Sequence, residues 1–174
     1  MVQKWTLCIE VSCYPNPGQA IISYILYNNA TNKVFQWKND VCGRTISNEA
    51  YYIALIQGLK TTKKHGANEI VVFTNFELVC NQMKGTYRVR KDNLKLLHSE
   101  ARISASQFHS FTIHHHRNIE RLSSDLLSVA MSTLGGREVK DKLASTSISS
   151  KIIDRHYYSS LIYVRFLLYL FWCV

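Results

Sequence analysis

The sequence predicts an α/β domain in which helices flank a five-stranded mixed sheet. Three β-rich segments come first, joined only by short polar loops, which is typical of an antiparallel meander. The hydrophobic period then changes from that of a strand to that of a helix at Ser47. Further on, the nearly all-apolar run Glu69 to Thr74 indicates a strand buried on both faces, as parallel strands are. The element order βββαβααβα therefore predicts three antiparallel strands followed by parallel ones.

The first strand leads into a turn that carries Pro15, Pro17 and Gly18, and the acid Glu10 lies near the end of this strand. An acid at such a place is a common component of a metal or phosphate site, and an ordinary hairpin with a solvated Glu10 is the alternative. The three predicted strands are Thr6 to Ser12, Gln19 to Tyr27 and Lys33 to Lys38.

The first helix is predicted from Ser47 to His65, with Ser47 as its N-cap and Gly66 as its C′ residue. Its apolar residues follow helical spacing, and lysines in its last turns suit the helix dipole. After the strand from Glu69 to Thr74, the remaining predicted elements are two helices (Phe76 to Met83 and Asp92 to Ser106), a fifth strand (Phe108 to His114) and a last helix (Arg121 to Thr133).

Length and composition favour one folded domain with an appendage. The chain has 174 residues, of which 47% are hydrophobic and 19% charged. The 21 Lys and Arg against 12 Asp and Glu give a net charge of +9, which favours a polyanionic partner, either nucleic acid or an anionic membrane surface. Five scattered cysteines and an N-terminus without an apolar h-region predict an intracellular protein, in cytoplasm or nucleus. We expect a monomer.

The character of the chain changes after Leu134. Residues 135–156 are predicted to be a polar linker, and residues 157–174 are a strongly apolar tail with Arg165 near its middle. The tail is just shorter than the roughly 20 residues that a spanning helix needs. A marginal tail anchor, an interfacial membrane segment and a remnant without function remain open.

Four motifs carry a resemblance to a known family. They are NPG at Asn16 to Gly18, SNEAYYIALIQGL at Ser47 to Leu59, FTNFELVCNQMKGTY at Phe73 to Tyr87, and the run from His115 through Asp125 to Ala130. By these motifs, in this order, residues 4–134 resemble a type 1 ribonuclease H (RNase HI-like) domain, and in particular the retroelement-derived versions common in plants. The resemblance implies the ribonuclease H-like fold and a site for RNA–DNA hybrids.

The family's chemistry, as the resemblance implies it, uses two Mg²⁺ ions held by four converging carboxylates. The matching positions here read Glu10, Tyr51, Asn75 and Asp125. Glu10 is one methylene longer than the family's Asp, which moves its oxygens by about 1 Å. Tyr51 supplies a neutral phenol and Asn75 a neutral amide, so two of the four charges are lost. Glu49 lies roughly 200° around the helix from Tyr51 and faces elsewhere.

The expected metal ligands are thus Glu10 and Asp125 alone, holding Mg²⁺ or Mn²⁺ weakly or no metal at all. His115 matches the family's loop histidine, which shuttles protons or protonates the leaving group. Its neighbours His114 and His116 would suit a zinc site only with a third ligand, and the sequence offers none nearby.

Two groups of residues are expected to contact nucleic acid. The resemblance places substrate-contacting residues, which reach the minor groove and 2′-hydroxyls, at the first group: Ser12, Cys13, Asn16, Ser47 and Asn48. Turn and cap chemistry explains Ser12, Asn16 and Asn48 equally well. The second group is a basic segment that follows Tyr87: Arg88, Arg90 and Lys91. It predicts phosphate contacts, and a solvated basic loop is the alternative.

These observations predict a ribonuclease H-like domain that binds RNA-containing duplexes through phosphate contacts and whose catalytic centre is degenerate. An active metal-dependent RNA–DNA hybrid ribonuclease is the first alternative. A membrane-tethered or vestigial interaction protein, in which the tail matters, is the second.

Overall fold

The structure is a computed structural model that describes residues 4–119, 121–123 and 125–126. The elements alternate as the hydrophobic pattern predicts, and the described residues from Ile119 to Leu126 are helical as well. The bounds of the strands and helices are β1 Lys4–Cys13, β2 Gly18–Asn28, β3 Lys33–Thr45, α1 Ser47–Lys64, β4 Glu69–Thr74, α2 Glu77–Met83, α3 Asp92–Ser106 and β5 Ser110–His115.

The five strands form one mixed sheet in the order β3-β2-β1-β4-β5. The pairs β1/β2 and β2/β3 are antiparallel, whereas β1/β4 and β4/β5 are parallel. This arrangement confirms the predicted mixed sheet. In the β1/β4 register Ile9 lies opposite Thr74. Glu10 and Asn75, the next residue after each, therefore lie side by side where β4 ends.

Side chains of β1 alternate between two layers of helices. Leu7 and Ile9 belong to the main core, which includes α1. Gly58 lets α1 approach β1 closely, because a Cβ at this position would lie 2.6 Å from Leu7 Cδ2. On the opposite face Cys8 packs with Ile119. The sheet is thus covered on both faces, and its apolar interior fixes the positions of the residues at its edge.

Several boundaries differ from the sequence predictions. The strand β3 extends to Thr45 instead of Lys38, because it is the outer strand of the sheet and an edge strand tolerates polar residues. The strand β5 begins at Ser110, and the buried ring of Phe108 packs in the core before the strand starts. Gly66 has φ +79° just after α1, as expected for its predicted C′ position.

The predicted N-cap at Ser47 is wrong. Ile46 is the N-cap of α1 and makes no side-chain capping hydrogen bond, so Ser47 is the first helical residue. The side chain of Asn16 takes over this role from the preceding turn, because its Oδ1 accepts a hydrogen bond from the Ser47 backbone N–H at 3.2 Å.

Within residues 4–119, 121–123 and 125–126, no helix is both long and apolar enough to cross a membrane. The predicted linker (135–156), the apolar tail (157–174) and the end of the last predicted helix lie outside the described residues.

Candidate functional site

The site is built where β1 and β4 end, next to the start of α1. The sheet register brings Glu10 and Asn75 to the same edge, and α1 adds Tyr51 from the turn that packs over it. The hydroxyl of Tyr51 donates a hydrogen bond of 2.7 Å to Asn75 Oδ1 and lies 3.5 Å from the Val11 carbonyl. Three of the four sequence-predicted catalytic positions therefore meet in space.

Tyr51 is a buried residue with only 6% of its surface exposed. Burial raises the pKa of its phenol to about 12, and the negative charge of nearby Glu10 contributes to the increase. The phenol is consequently neutral at physiological pH, so it gives this position no negative charge.

Phe76 is a component of the site that the sequence interpretation did not assign. Its ring stacks on that of Tyr51 with centroids 4.3 Å apart and an interplanar angle of 1°. The signal available in the sequence was an aromatic residue directly after Asn75. The two rings place apolar surface where the resemblance predicts a polar, charged pocket.

The other two predicted catalytic residues, Asp125 and His115, are both exposed. Asp125 lies on a helical segment whose Leu122 and Leu126 pack over Cys8. Because side chains alternate along a strand, Glu10 points to the same face of the sheet as Cys8. His115 is the last residue of β5, opposite Thr74, and not a loop residue as the resemblance implied. It is exposed at the same end of the sheet as Asn75.

The residues present do not fit a two-magnesium site. Mg²⁺ requires several hard oxygen ligands, and carboxylates supply most of them in proteins. Here Tyr51 is a neutral phenol, and Asn75 Oδ1 already accepts the proton of that phenol. Among the residues described, no group of three or more His, Cys, Asp or Glu side chains could hold a metal ion.

The histidines around His115 have aromatic neighbours. The rings of His114 and His116 lie 5.6 Å and 6.2 Å from that of Phe73, the first stacked and the second edge-on. The backbone N–H of His116 donates to the Thr74 carbonyl. Of these two side chains, His116 is half-buried and His114 is exposed.

The turn after β1 and the start of α1 form one connected surface. Asn16 caps α1 through the Ser47 N–H, and the Cys13 thiol lies 3.4 Å from the Thr45 carbonyl. Gly18 closes the turn, because a Cβ there would lie 2.0 Å from the Pro15 carbonyl oxygen. The structure thus brings together the two segments that contain the predicted groove-contacting residues, which are Ser12, Cys13, Asn16, Ser47 and Asn48.

The basic segment lies between α2 and α3. Arg88 and Arg90 are exposed and flank Val89, which is half-buried and packs against the core. Lys91, also exposed, is the N-cap residue of α3. Because Val89 points inward, the two arginines on either side of it are available to solvent and to phosphates.

Comparison with known proteins shows a matching family and a matching fold. The reverse transcriptase-like family matches residues 9–126. The N-terminal RNase H domain of Rv2228c from Mycobacterium tuberculosis, solved as a fusion with maltose-binding protein, is 30% identical with a TM-score of 0.61, covering 63% of this chain and 84% of that chain. RNase H1 from Halobacterium salinarum is similar in fold, with a TM-score of 0.64 and 23% sequence identity. The match covers 74% of this chain and 98% of that chain.

Two further matches extend the comparison. LC11-RNase H1 from compost, solved in complex with an RNA/DNA hybrid, is 24% identical in sequence with a TM-score of 0.60, covering 64% of this chain and 84% of that chain. The bifunctional protein Rv2228c of M. tuberculosis is 29% identical over 136 residues, which are 75% of this chain but 37% of that relative. This chain therefore spans little more than a third of the curated relative. By its fold, and by a family match over more than half of its residues, the chain belongs to the reverse transcriptase-like family and contains a ribonuclease H-like domain.

Proposed function

We propose that this domain binds RNA–DNA hybrids or other RNA-containing duplexes without requiring a divalent metal, and that it does not cleave them. The observation that carries the proposal is the hydrogen bond from the Tyr51 hydroxyl to Asn75 Oδ1, which joins two neutral side chains at positions where the family uses carboxylates. The stacked ring of Phe76 adds apolar surface to the same place. Such a site lacks the charge that positions two metal ions.

Binding in this proposal depends mainly on phosphate contacts. The net charge of +9 and the exposed Arg88 and Arg90 supply the attraction. The turn at Asn16 and the start of α1 provide polar groups on a second surface, which suit ribose hydroxyls in the minor groove. The structure of LC11-RNase H1 with an RNA/DNA hybrid supports this class of ligand by analogy of fold.

The test compares binding and cleavage in the full chain. Fluorescence anisotropy with a labelled RNA–DNA hybrid is measured in EDTA, in Mg²⁺ and in Mn²⁺, at several salt concentrations. We expect similar affinity in all three, a steep loss of affinity with added salt, and an intact RNA strand. A requirement for metal in binding would contradict the proposal.

Cleavage by the native chain would favour the alternative, an active metal-dependent hybrid ribonuclease. A Glu10→Gln variant, purified in parallel, separates the activity of this chain from that of a contaminating host nuclease. Cleavage that disappears with this substitution would refute the non-catalytic proposal, whereas cleavage that persists belongs to the contaminant.

A further inference from the structure

Glu49 connects three elements near the proposed binding surface. It lies half-buried in the first turn of α1 and faces away from Tyr51. One of its carboxylate oxygens accepts a hydrogen bond from the Thr45 hydroxyl at the end of β3. The other accepts from the Asn93 side-chain amide in the first turn of α3. A single carboxylate therefore joins β3, α1 and α3.

Each partner of Glu49 is adjacent to one half of the proposed nucleic-acid surface. The Thr45 carbonyl lies 3.4 Å from the Cys13 thiol, beside the turn that caps α1. Asn93 follows Lys91 by two residues, so it lies at the end of the basic segment. The Thr45–Glu49–Asn93 hydrogen bonds thus link the groove-contacting half of the surface to the phosphate-contacting half.

The basic segment has few other contacts that could fix its position. In residues 84–91 only Val89 is half-buried, and the other seven are exposed. At its start, the Thr86 and Tyr87 N–H groups donate to the Asn81 carbonyl. After the segment, the first buried residue is Leu94 in the first turn of α3. The Glu49–Asn93 hydrogen bond therefore fixes the junction between Val89 and Leu94.

We propose that Glu49 is a positioning residue that holds the basic segment in register with the start of α1, so that both halves contact one duplex. This inference rests on the proposed binding function. Removing an acid from a nucleic-acid-binding surface ordinarily strengthens binding to a polyanion. If Glu49 positions the arginines, its removal weakens binding instead.

The affinity test uses two substitutions that change the charge equally. Glu49→Ala removes both hydrogen bonds, whereas Glu49→Gln retains an acceptor oxygen for Asn93 and an amide that can donate to the Thr45 hydroxyl. We expect Glu49→Ala and Asn93→Ala to weaken hybrid binding by about three- to tenfold, the effect of one net hydrogen bond. Glu49→Gln should bind as tightly as the native chain or more tightly. Glu49→Ala binding at least as tightly as Glu49→Gln would overturn the proposal.

Glu100 provides a matched control acid. It is exposed on α3 and pairs with Lys60 of α1, so Glu100→Ala removes one negative charge and one polar link between the same two helices. This pair lies at the surface, where an ion pair contributes little to stability. We expect Glu100→Ala to bind the hybrid at least as tightly as the native chain. Equal weakening by Glu100→Ala and Glu49→Ala would overturn the special role of Glu49.

A second readout needs no nucleic acid. Trypsin cuts after Arg88, Arg90 and Lys91, so the rate of cleavage at these sites, followed by mass spectrometry under native conditions, reports how firmly the segment is held. We expect faster cleavage in Glu49→Ala than in Glu100→Ala at temperatures where both remain folded. Equal rates would overturn the positioning role. If the native chain binds no hybrid, the proposed function fails and the cleavage rates alone decide whether Glu49 holds the segment.

Discussion

Restoring the family's acids by Tyr51→Glu together with Asn75→Asp is expected to destabilise the metal-free protein. The double variant loses a side chain that is only 6% exposed, its stack on Phe76 and its hydrogen bond to residue 75. Removing a large buried aromatic ring costs about 3–5 kcal/mol, and the larger volume of Glu relative to Ala recovers part of this. The two new carboxylates also lie beside Glu10, whose negative charge already affects Tyr51. We expect a net loss of about 3 kcal/mol in EDTA.

The same variant should gain a response to Mg²⁺ that the native chain lacks. Three clustered carboxylates form a hard oxygen site, and metal at 100 times its Kd would restore about 2.7 kcal/mol. In a domain of this size, this corresponds to a rise in Tm of about 5–10 °C. The assay is thermal unfolding in EDTA and in saturating Mg²⁺, with hybrid cleavage measured on the same samples.

Two comparisons make this prediction refutable. Tyr51→Gln, which resembles Glu in size but carries no charge, should be destabilised and should not respond to Mg²⁺. An equal rise in the Tm of the native chain on adding Mg²⁺ would show that a metal binds despite Tyr51. In that case the neutral side chains at positions 51 and 75 would not prevent metal binding, which would contradict the prediction.

Three further predictions follow from single contacts. The pKa of Tyr51 is about 12 in the folded protein and near 10 in the unfolded chain. The free energy of unfolding of the native chain, relative to that of Tyr51→Phe, should therefore fall between pH 10 and 12 in denaturant titrations. A difference that stays constant over this pH range would contradict the prediction. Gly18→Ala should lower the free energy of unfolding by about 1–3 kcal/mol, since the new Cβ meets the Pro15 carbonyl; unchanged unfolding would contradict the turn geometry. Arg88→Ala with Arg90→Ala should reduce the salt slope of hybrid binding by about two, and an unchanged slope would exclude phosphate contacts there.

Much of the fold could be predicted because local pattern and tertiary structure agree. The all-apolar run of β4 required burial on both faces, and the sheet provides it between β1 and β5. The extension of β3 to Thr45 could not be predicted, because pairing with β2 stabilises this polar segment and its sequence alone does not. The cap of α1 was missed for a similar reason, since Asn16 lies 31 residues away from Ser47.

The sequence predicted which residues lie close together at the candidate site, but not how their side chains interact. Sequence order placed Glu10, Tyr51 and Asn75 at the family's catalytic positions, and the sheet register and α1 bring them together as the resemblance implied. The identity of each residue predicted a loss of charge. Neither the stack of Phe76 on Tyr51 nor the two hydrogen bonds of Glu49 could be predicted, because both depend on side-chain directions across separate elements.

Tyr51 contacts both Asn75 and Phe76, and all three side chains are uncharged. This arrangement affects how such a domain would bind a duplex. A site with four clustered carboxylates repels the phosphate backbone unless cations neutralise it. Here Tyr51 and Asn75 satisfy each other as neutral groups, and the Phe76 ring is also uncharged. Less negative charge therefore faces a phosphate at this edge of the sheet. Loss of the metal ligands is thus compatible on physical grounds with hybrid binding. The two neutral side chains that replace metal ligands also remove about half of the negative charge that the metal would have to offset.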